Sequence, residues 1–490
     1  MKNNHTKSNI LSSLFWKLME RGGTQGVQFI VQILLARLLA PNEFGMIAIV
    51  MVFIQLAQVF VQSGFNTALI QKKDADEDDF SSIFFLSLGI ASVLYVFMYT
   101  IAPHVASFYE NSMLSPVLKV LSLTLFAGAF NSIQNAYVSR NLLFKKLFKS
   151  SLGAILFSGI VGIIAANQGL GVWALVIQQL LNQVSITIIM WFTVKWRPKL
   201  VFSILKVKEM FSFGWKLLVS SLLNVFYMEL RTLVIGKIYT PSTLGYYNRG
   251  QQFPKVIVSN IDGSIQSVML PTLSAHQENK KRVKEMMRRA IISSSLLIFP
   301  MMIGMAVVAE SLVKIILTDN WLPAVPFLQI FCLSFALWPI HTANLQAINA
   351  LGKSNIFLKL EIVKKIVGII ILGASLPFGI YAIALGEVLS GLISSFINAY
   401  PNKLLLDYSY KEQWADITPS LLISIVMGGI VYLVKFLNLL AWQTLIVQIT
   451  VGICIYIGLA KIFKIESFEY LVRSIIELMN EKKMNRMREG

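Results

Sequence analysis

Long apolar stretches separated by short polar connectors run along almost the whole chain. A membrane-spanning helix needs roughly 20 mostly apolar residues, and these stretches reach that length without the alternation typical of barrel strands. The pattern predicts an all-α polytopic membrane protein in which the eighth helix is the least apolar. The fourteen predicted helices cover residues 10–36, 44–64, 81–103, 116–138, 150–167, 170–194, 211–236, 250–273, 290–317, 322–348, 358–376, 378–402, 416–437 and 440–463.

The composition agrees with a membrane protein and argues against several other classes. Of the 490 residues, 56% are hydrophobic and 14% are charged, against about 25% charged residues in soluble domains. The net charge of +18 does not indicate a nucleic-acid partner, because most Lys and Arg lie in the connectors. Cys332 and Cys454 fall in apolar stretches and the four His are scattered, so we expect no disulfide framework and no metal site. No glycine-rich nucleotide loop is present, so we expect no cofactor.

The distribution of basic residues predicts the orientation of the chain. Lys and Arg concentrate in every second connector, whereas the connectors between them have few or none. By the positive-inside rule the basic connectors are cytoplasmic, which places both termini inside. The basic connectors lie at residues 72–73, 140–149, 195–208, 280–289 and 353–359.

The outer connectors are short, and the longest covers about Ala102–Ser115. A membrane glycosyltransferase or polysaccharide polymerase generally needs a sizeable outer loop that carries catalytic carboxylates or arginines. The short connectors therefore favour a transporter over an enzyme.

Two similar turns lie two hundred residues apart, LARLLAPNEFG at 35–45 and IGKIYTPSTLG at 235–245. Trp16-Lys17 is likewise echoed by Trp215-Lys216, and the GVWA sequence at 171–174 by GIYA at 379–382. Each repeat contains six helices, so the repeats are parallel, as in some transporters. The sequence predicts an N-terminal six-helix lobe (1–205), a C-terminal six-helix lobe (206–412), helices thirteen and fourteen (413–465) and a cytoplasmic tail (466–490).

The tail has an amphipathic pattern, with a basic end that reads KKMNRMREG. A basic amphipathic helix on the inner leaflet is predicted, and a solvated tail is the alternative. The apolar face of this helix would consist of Phe468, Leu471, Val472, Ile475 and Met479.

Polar residues form stripes along the first two helices. Polar side chains face a bundle interior or a water-filled cavity in membrane proteins. The stripes therefore predict the wall of a wet cavity whose amides suit sugar hydroxyls, although hydrogen bonds that only join the helices would also explain them. The first stripe consists of Arg21, Gln25, Gln28 and Gln32, and the second of Gln55, Gln58, Gln62 and Asn66.

The second half of the chain supplies further polar candidates, Asn224 and Arg231 on the seventh helix and Arg249 and Lys255 on the eighth. Arginine is costly at mid-membrane, and its planar guanidinium suits phosphate oxygens, so Arg21 and Arg231 are candidates for substrate binding. The alternative is a local ion pair, because Glu20 adjoins Arg21 and Glu229 is close to Arg231.

Four acidic residues fall within predicted helices: Glu20, Glu229, Asp262 and Glu387. A buried carboxylate can carry a proton or bind a cation, so these residues are candidates for coupling to H⁺ or Na⁺. Their spacing defines no ion site.

The acidic run Asp74–Asp79 resembles the metal-binding DxD motif of glycosyltransferases, but it adjoins Lys72 and Lys73 in a short connector. A solvated charge run is the favoured interpretation.

The chain resembles the Wzx-type oligosaccharide flippases of the colanic acid and teichuronic acid exporter branch. The stretches that carry the resemblance are LLARLLAPNEFGMIAIVMVF (34–53), GFNTALIQKK (64–73), NAYVSRNLLFKK (135–146), GLGVWALVIQQL (169–180) and LGYYNRGQQFP (244–254).

This resemblance implies the fold of the multidrug/oligosaccharidyl-lipid/polysaccharide exporters, with two six-helix lobes in a V and two extra helices. It also implies an undecaprenyl-diphosphate-linked oligosaccharide as substrate, a cationic cavity that Arg21, Arg231, Arg249 and Lys255 would fit, and a bacterial inner membrane. A polysaccharide polymerase and a chain-length regulator are expected partners of a monomeric protein. A cation-coupled multidrug exporter or a lipid II exporter of the same fold is the alternative.

Overall fold

The computed structural model describes residues 12, 15–62, 65–72, 74–437, 439–473 and 476–477. Within these residues the chain consists of helices joined by turns. It divides into two compact units, Met1–Gly245 and Tyr246–Gly490.

In the first unit a π-helical turn, Met19–Gly23, precedes the first α-helix. The helices of this unit are α1 (Thr24–Leu38), α2 (Pro41–Gln62), α3 (Phe65–Gln71), α4 (Glu77–Phe108), α5 (Leu114–Leu121), α6 (Thr124–Arg140), α7 (Phe144–Asn167), α8 (Val172–Thr193) and α9 (Ile204–Ile238). Helix α10 (Pro241–Ser274) begins in the first unit and continues into the second. The second unit then contains α11 (Lys280–Ile316), α12 (Val325–Ala336), α13 (Trp338–Ala350), α14 (Ser354–Ser375), α15 (Ile380–Leu406), α16 (Tyr410–Leu433) and α17 (Ala441–Ile462).

Eleven helical segments of the described residues are long and apolar enough to cross a membrane. They lie at 41–71 (apart from residues 63 and 64, which are outside the described part), 77–108, 114–140, 144–167, 172–193, 214–238, 280–316, 319–350, 380–406, 410–437 and 441–462. Each of the fourteen predicted segments overlaps a helix. The first predicted segment includes undescribed residues, the eighth is polar, and the eleventh carries Lys359, Glu361, Lys364 and Lys365. The count of fourteen spans and the lobes 1–205 and 206–412 stay predictions.

Several helices are longer than their predicted apolar segments. Helix α11 begins at Lys280 rather than at 290, and α9 begins at Ile204 rather than at 211. Hydropathy marks the limits of the hydrocarbon-compatible stretch, whereas a helix ends where its backbone hydrogen bonds end. The side chains of Asn279 and Ser203 cap the two helices by accepting bonds from Arg282 N and Lys206 N. The basic connectors are therefore partly helical.

The acidic run before α4 is an ordered helix start. Asp76 accepts a bond from Asp79 N at 2.8 Å, and Asp79 accepts one from Asp76 N at 3.0 Å, which forms a capping box. Asp79 is 1% exposed and pairs with Lys72 at 3.1 Å. The Lys206 ammonium bonds to Asp76 and, together with the Asp79 backbone N–H, lowers the pKa of Asp76 to about 2. The interpretation as a solvated run is wrong for the buried Asp79, whereas Asp76 is exposed although a cap and an ion pair hold it.

The two repeated turns have the same local geometry. Leu39 and Tyr239 are both extended, and each donates its N–H to the carbonyl four residues earlier at 2.9 Å. Proline then begins the next helix in both cases, at Pro41 and Pro241. Proline suits a first helical position because its fixed φ is already helical. The sequence repeat is therefore also a structural one at these turns.

In the second unit, α11 packs against α16 and α17. Buried amides join α13, α15 and α16: Asn344 donates to Gln413 at 2.8 Å, and Asn402 donates to Asn344 at 2.8 Å. These groups stabilise the unit because their hydrogen-bonding capacity would otherwise be lost on burial.

The described tail residues 466–473 are helical. Arg288 forms two parallel hydrogen bonds with Glu466, at 2.9 and 2.8 Å, and so ties the tail to α11. Phe468 and Leu471 pack against a cluster that contains Leu296 and Ile423. These two residues are therefore partly buried against the protein, and the position of the tail helix on the inner leaflet stays a prediction. Ile475, Met479 and the basic end lie outside the described residues.

Candidate substrate cavity in the first unit

A cavity of about 740 Å³ lies among α1, α2, α6, α7 and α8 of the first unit. Helix α1 packs on α7, and α2 packs on both α6 and α8, which brings polar faces of separate helices together. Amide side chains provide nine of the sixteen lining residues. The lining consists of Glu20, Arg21, Thr24, Gln25, Gln28, Met51, Ile54, Gln55, Gln58, Gln62, Thr124, Ile155, Gln178, Gln179, Asn182 and Gln183.

Arg21 enters the cavity from the π-helical turn at Met19–Gly23. Short π-helical segments within helices recur at functional sites. Thr24 donates its hydroxyl to the carbonyl of Glu20 and so closes the turn. The carboxylate of Glu20 pairs with Lys17 at 3.2 Å, and no ion pair joins Arg21 to another described residue. Glu20 thus pairs with Lys17 rather than with Arg21, which is exposed, and the role of Arg21 in substrate binding stays a prediction.

The stripe on α2 contains both bonded and available amides. Gln58 donates to the carbonyl of Thr124 at 3.1 Å, and Gln62 donates to Gln58 at 2.6 Å. A Cβ atom at Gly128 of α6 would lie 2.7 Å from Gln58 Nε2, so glycine leaves room for this amide. Gln55 is exposed to the cavity. The stripe on α2 therefore does both things that were considered for it. Gln58 joins α2 to α6 by a hydrogen bond, and Gln55 presents its amide to the cavity.

The stripe on α1 also divides. Gln25 and Gln28 line the cavity, and Gln28 Oε1 is buried without a hydrogen-bond partner. Gln32 does not belong to the lining, although the predicted stripe included it. The predicted role of these residues in substrate binding stays a prediction.

Helix α8 supplies a third polar wall that was not predicted from the sequence. Gln178, Gln179, Asn182 and Gln183 all line the cavity. Gln178 is 1% exposed, and neither Nε2 nor Oε1 of its amide has a partner in the described structure. Residues 178 and 182, like 179 and 183, are four apart and so share a helix face. This spacing is the signal that could have revealed the third wall.

The other predicted cationic residues do not line this cavity. Arg249 is 4% exposed, donates to Gln252 Oε1 at 2.6 Å and lies 5.2 Å from the centre of the Trp321 ring. Lys255 is exposed. On α9, Asn224 is exposed, whereas Glu229 and Arg231 are half-buried. Within the lining, Arg21 is the cationic residue.

The two acidic candidates of the second unit accept bonds from neutral donors. Glu387 accepts from the Tyr247 hydroxyl at 3.1 Å and from Gln251 at 3.3 Å. Asp262 is 8% exposed and accepts from Gln266 at 2.7 Å and from the Thr342 hydroxyl. Helix α10 therefore carries Asp262 itself and both residues that donate to Glu387. Among the residues that the structure describes, no group of three or more His, Cys, Asp and Glu could hold a metal ion.

Residues 34–326 match the protein family described as polysaccharide biosynthesis protein, a match over more than half of the chain. The chain belongs to this family. It is similar to the teichuronic acid biosynthesis protein TuaB of Bacillus subtilis, at 25% identity over 82% of this chain and 85% of that protein. It is also similar to the lipopolysaccharide biosynthesis protein WzxC of Escherichia coli, at 22% identity over 86% of this chain and 88% of that protein.

Among solved structures, the lipid II flippase MurJ in an inward closed conformation has the same fold. The TM-score is 0.77 at 15% sequence identity, over 92% of this chain and 98% of that chain. With its many apolar helices, the chain is a multi-pass membrane protein of the polysaccharide biosynthesis family.

Proposed function

We propose that this protein is a flippase that moves undecaprenyl-diphosphate-linked oligosaccharide repeat units from the cytoplasmic to the outer leaflet. The glycan would serve the synthesis of an O-antigen, a capsule or an exopolysaccharide. The observation that carries the proposal is the amide-lined cavity with Arg21, within a membrane protein of the polysaccharide biosynthesis family. The relatives TuaB and WzxC, named for teichuronic acid and lipopolysaccharide biosynthesis, support it.

The chemistry of the cavity suits this substrate. Sugars and a diphosphate cross hydrocarbon only at a high cost, because each polar group without a partner costs several kcal/mol. Amides offer both donors and acceptors to hydroxyl groups, and a guanidinium can bind phosphate oxygens through two hydrogen bonds. The cavity lowers the cost of crossing without covalent chemistry, so the protein acts as a transporter and not as an enzyme.

An apolar groove of about 360 Å³ between α11, α16 and α17 suits the polyprenyl tail. Side chains of Leu, Ile, Met and Val form most of its wall. Its one amide, Gln448, already donates to the carbonyl of Val431 at 3.3 Å. This groove, or the surrounding lipid, would hold the tail of the substrate.

In the proposed architecture, fourteen helices span the bacterial inner membrane with both termini in the cytoplasm. Two six-helix lobes, 1–205 and 206–412, form a V and alternate between inward and outward access, with helices thirteen and fourteen in 413–465. The tail, 466–490, is cytoplasmic. H⁺ or Na⁺ supplies the driving force through Glu20, Glu229, Asp262 or Glu387. The protein is a monomer that works with membrane lipids, a polymerase and a chain-length regulator.

A deletion of the gene in its host tests the function. Loss of a flippase leaves single lipid-linked repeat units on the cytoplasmic face, whereas loss of a polymerase leaves them on the outer face. We expect single units inside, and export restored by the wild-type gene. Single units outside, or a normal polymer, would contradict the proposal.

The alternative is a cation-coupled multidrug exporter or a lipid II exporter of the same fold. A drug exporter would favour an acidic and aromatic cavity, and the lining described above has one carboxylate and no aromatic residue. A lipid II exporter would restore growth of a strain that lacks its own lipid II flippase. We expect that this protein does not restore growth of such a strain.

A further inference from the structure

The most unusual feature of the cavity is the side chain of Gln178 on α8. Its amide nitrogen and oxygen are both buried and without a partner in the described structure. A Cβ atom at Gly162 of α7 would lie 2.7 Å from Gln178 Cβ and 2.9 Å from its Cγ, so the glycine lets the two helices approach closely at this side chain. Buried amides without a partner are uncommon, and each one calls for an explanation such as a functional role or a bound water or ion.

The wall that carries Gln178 has no formal charge. Its members on α8 are Gln178, Gln179, Asn182 and Gln183, whereas Arg21 and Glu20 belong to the turn before α1. Thr187, one turn further along α8, is outside the lining and bonds to the carbonyl of Gln183 at 2.9 Å. The charged residues of the cavity and the neutral wall on α8 therefore come from different helices.

We propose that the amide row of α8 is the subsite that recognises the glycan, with Gln178 as a specificity-determining residue. This inference rests on the proposed flippase function. The row binds neutral sugars through their hydroxyl and acetamido groups, because an amide can donate to and accept from such groups at once. Arg21 binds the diphosphate, which every lipid-linked repeat unit shares.

An unpaired polar group is an effective means of discrimination. A site built to hydrogen-bond a substrate group rejects an analogue that lacks it, because the buried polar atoms of the site then stay unpaired. Gln178 would thus favour lipids that carry the correct sugar over lipids that carry none. Loss of one or two such bonds corresponds to a change in affinity of about tenfold.

The test measures binding of two probes to the full-length protein in detergent. One probe is undecaprenyl diphosphate without sugar, and the other is the lipid-linked repeat unit extracted from the host. For Gln178→Leu we expect an affinity for the glycosylated probe about tenfold lower and an unchanged affinity for bare undecaprenyl diphosphate. Arg21→Ala should weaken both probes, and Thr187→Val on the same helix should weaken neither.

Gln178→Met is the second variant, because it retains the length of the side chain and removes the amide without adding a charge to the cavity that holds the diphosphate. It should also lose affinity for the glycosylated probe alone. Equal losses for both probes, or no loss for either, in both Gln178 variants would overturn the glycan subsite while leaving the flippase function intact. If the wild-type protein binds neither probe, the proposed function itself fails, and the subsite fails with it.

Discussion

Gly45 of α2 lies directly against the backbone of Pro241, the first residue of α10. A Cβ atom at Gly45 would overlap the Pro241 carbonyl and come within 2.9 Å of its Cα. The relationship is reciprocal, because a Cβ atom at Gly245 would overlap the Pro41 carbonyl and lie 3.1 Å from its carbonyl carbon. Each repeated turn thus packs its proline against the glycine of the other. Glycine is required at both positions because the backbones are in contact.

Under the proposed orientation these turns lie at the outer face, and we expect their contact, which we define as the closed state, to limit access to α2 from that side. Gly45→Ala should force the turns apart and destabilise the closed state by about 1–3 kcal/mol, as overpacking does elsewhere. Ile49 is 1% exposed and lies one turn after Gly45. The test uses Ile49→Cys in a background without Cys332 and Cys454. This cysteine should react faster with an impermeant thiol reagent from outside when Gly45→Ala is also present than when Gly45 is retained.

Gly89→Ala on α4 is the matched control, because its added Cβ meets nothing within 4 Å. This variant should label at the wild-type rate and be slightly more stable, since Ala favours a helix more than Gly does. Equal labelling of the Gly45→Ala and Gly89→Ala proteins would show that the glycine contact does not control access.

Arg21→Ala should reduce export by roughly tenfold to a hundredfold, the range expected for losing hydrogen bonds to a charged group. Arg21→Lys retains the charge but loses the geometry for two parallel hydrogen bonds, so its export should lie between that of the wild-type protein and that of Arg21→Ala. Polymer at the cell surface and membrane insertion are both measured. Lys17→Ala removes a positive charge nearby that is paired with Glu20 and is outside the lining, so export should persist. Normal export by the Arg21→Ala protein would contradict the proposal that Arg21 binds the diphosphate.

Asp262→Asn and Glu387→Gln test cation coupling. Each change retains the side-chain shape and removes the charge that a proton or a sodium ion would neutralise. If either carboxylate couples transport, its variant should lose the dependence of transport on pH or on sodium. Transport by wild type and variants is compared across pH and sodium gradients, with Glu229→Gln as a third variant. An unchanged dependence would exclude the residue concerned.

The lowered pKa of Asp76 predicts a pH dependence of stability. The Lys206 ammonium stabilises the ionised carboxylate and lowers its pKa from 3.8 to about 2. Its contribution is therefore present above about pH 4 and is lost as the pH falls towards 2. The side chain is 56% exposed, so we expect less than about 1 kcal/mol.

Thermal unfolding of the wild-type and Asp76→Asn proteins between pH 7 and pH 2.5 measures this contribution. Asparagine still caps the helix, so the difference isolates the charge. The gap between the two melting temperatures should be constant above pH 5 and narrow below pH 4. Asp74→Asn removes a charge from the same connector and should show no such gap. A gap for Asp76→Asn that does not depend on pH would contradict the ion pair.

Much of the fold was readable from the sequence, because hydrophobic length is a direct physical requirement of membrane helices. The stripes on the first two helices also predicted amides that line one cavity, such as Gln25, Gln28 and Gln55. The pairing of Lys206 with Asp76 was not readable, because the two residues are 130 positions apart and meet only after folding. The entry of Arg21 through a π-helical turn was also missed, since an ideal helix was assumed.

The residues Arg249 and Gln178 show why sequence patterns assign sites incompletely. The sequence predicts Arg249 as a cavity cation, yet it donates a hydrogen bond to Gln252 and lies over the Trp321 ring. The spacing of Gln178 and Asn182 indicates a polar helix face, but the burial of the Gln178 amide and its close approach to Gly162 appear only in the folded chain. A polar residue at the correct helical spacing is a candidate, and its neighbours in the folded chain decide what it can contact.

Translocation by the purified protein in lipid vesicles tests the central claim most directly. A labelled undecaprenyl-diphosphate-linked oligosaccharide is placed in the vesicle membranes, and a glycosidase added outside reports which leaflet holds the glycan. We predict that wild-type protein makes the inner-leaflet glycan accessible within the assay, that Arg21→Ala is strongly impaired, and that empty vesicles show no transfer. If wild-type vesicles leave the glycan of every lipid-linked oligosaccharide tested as protected as empty vesicles do, the account is contradicted.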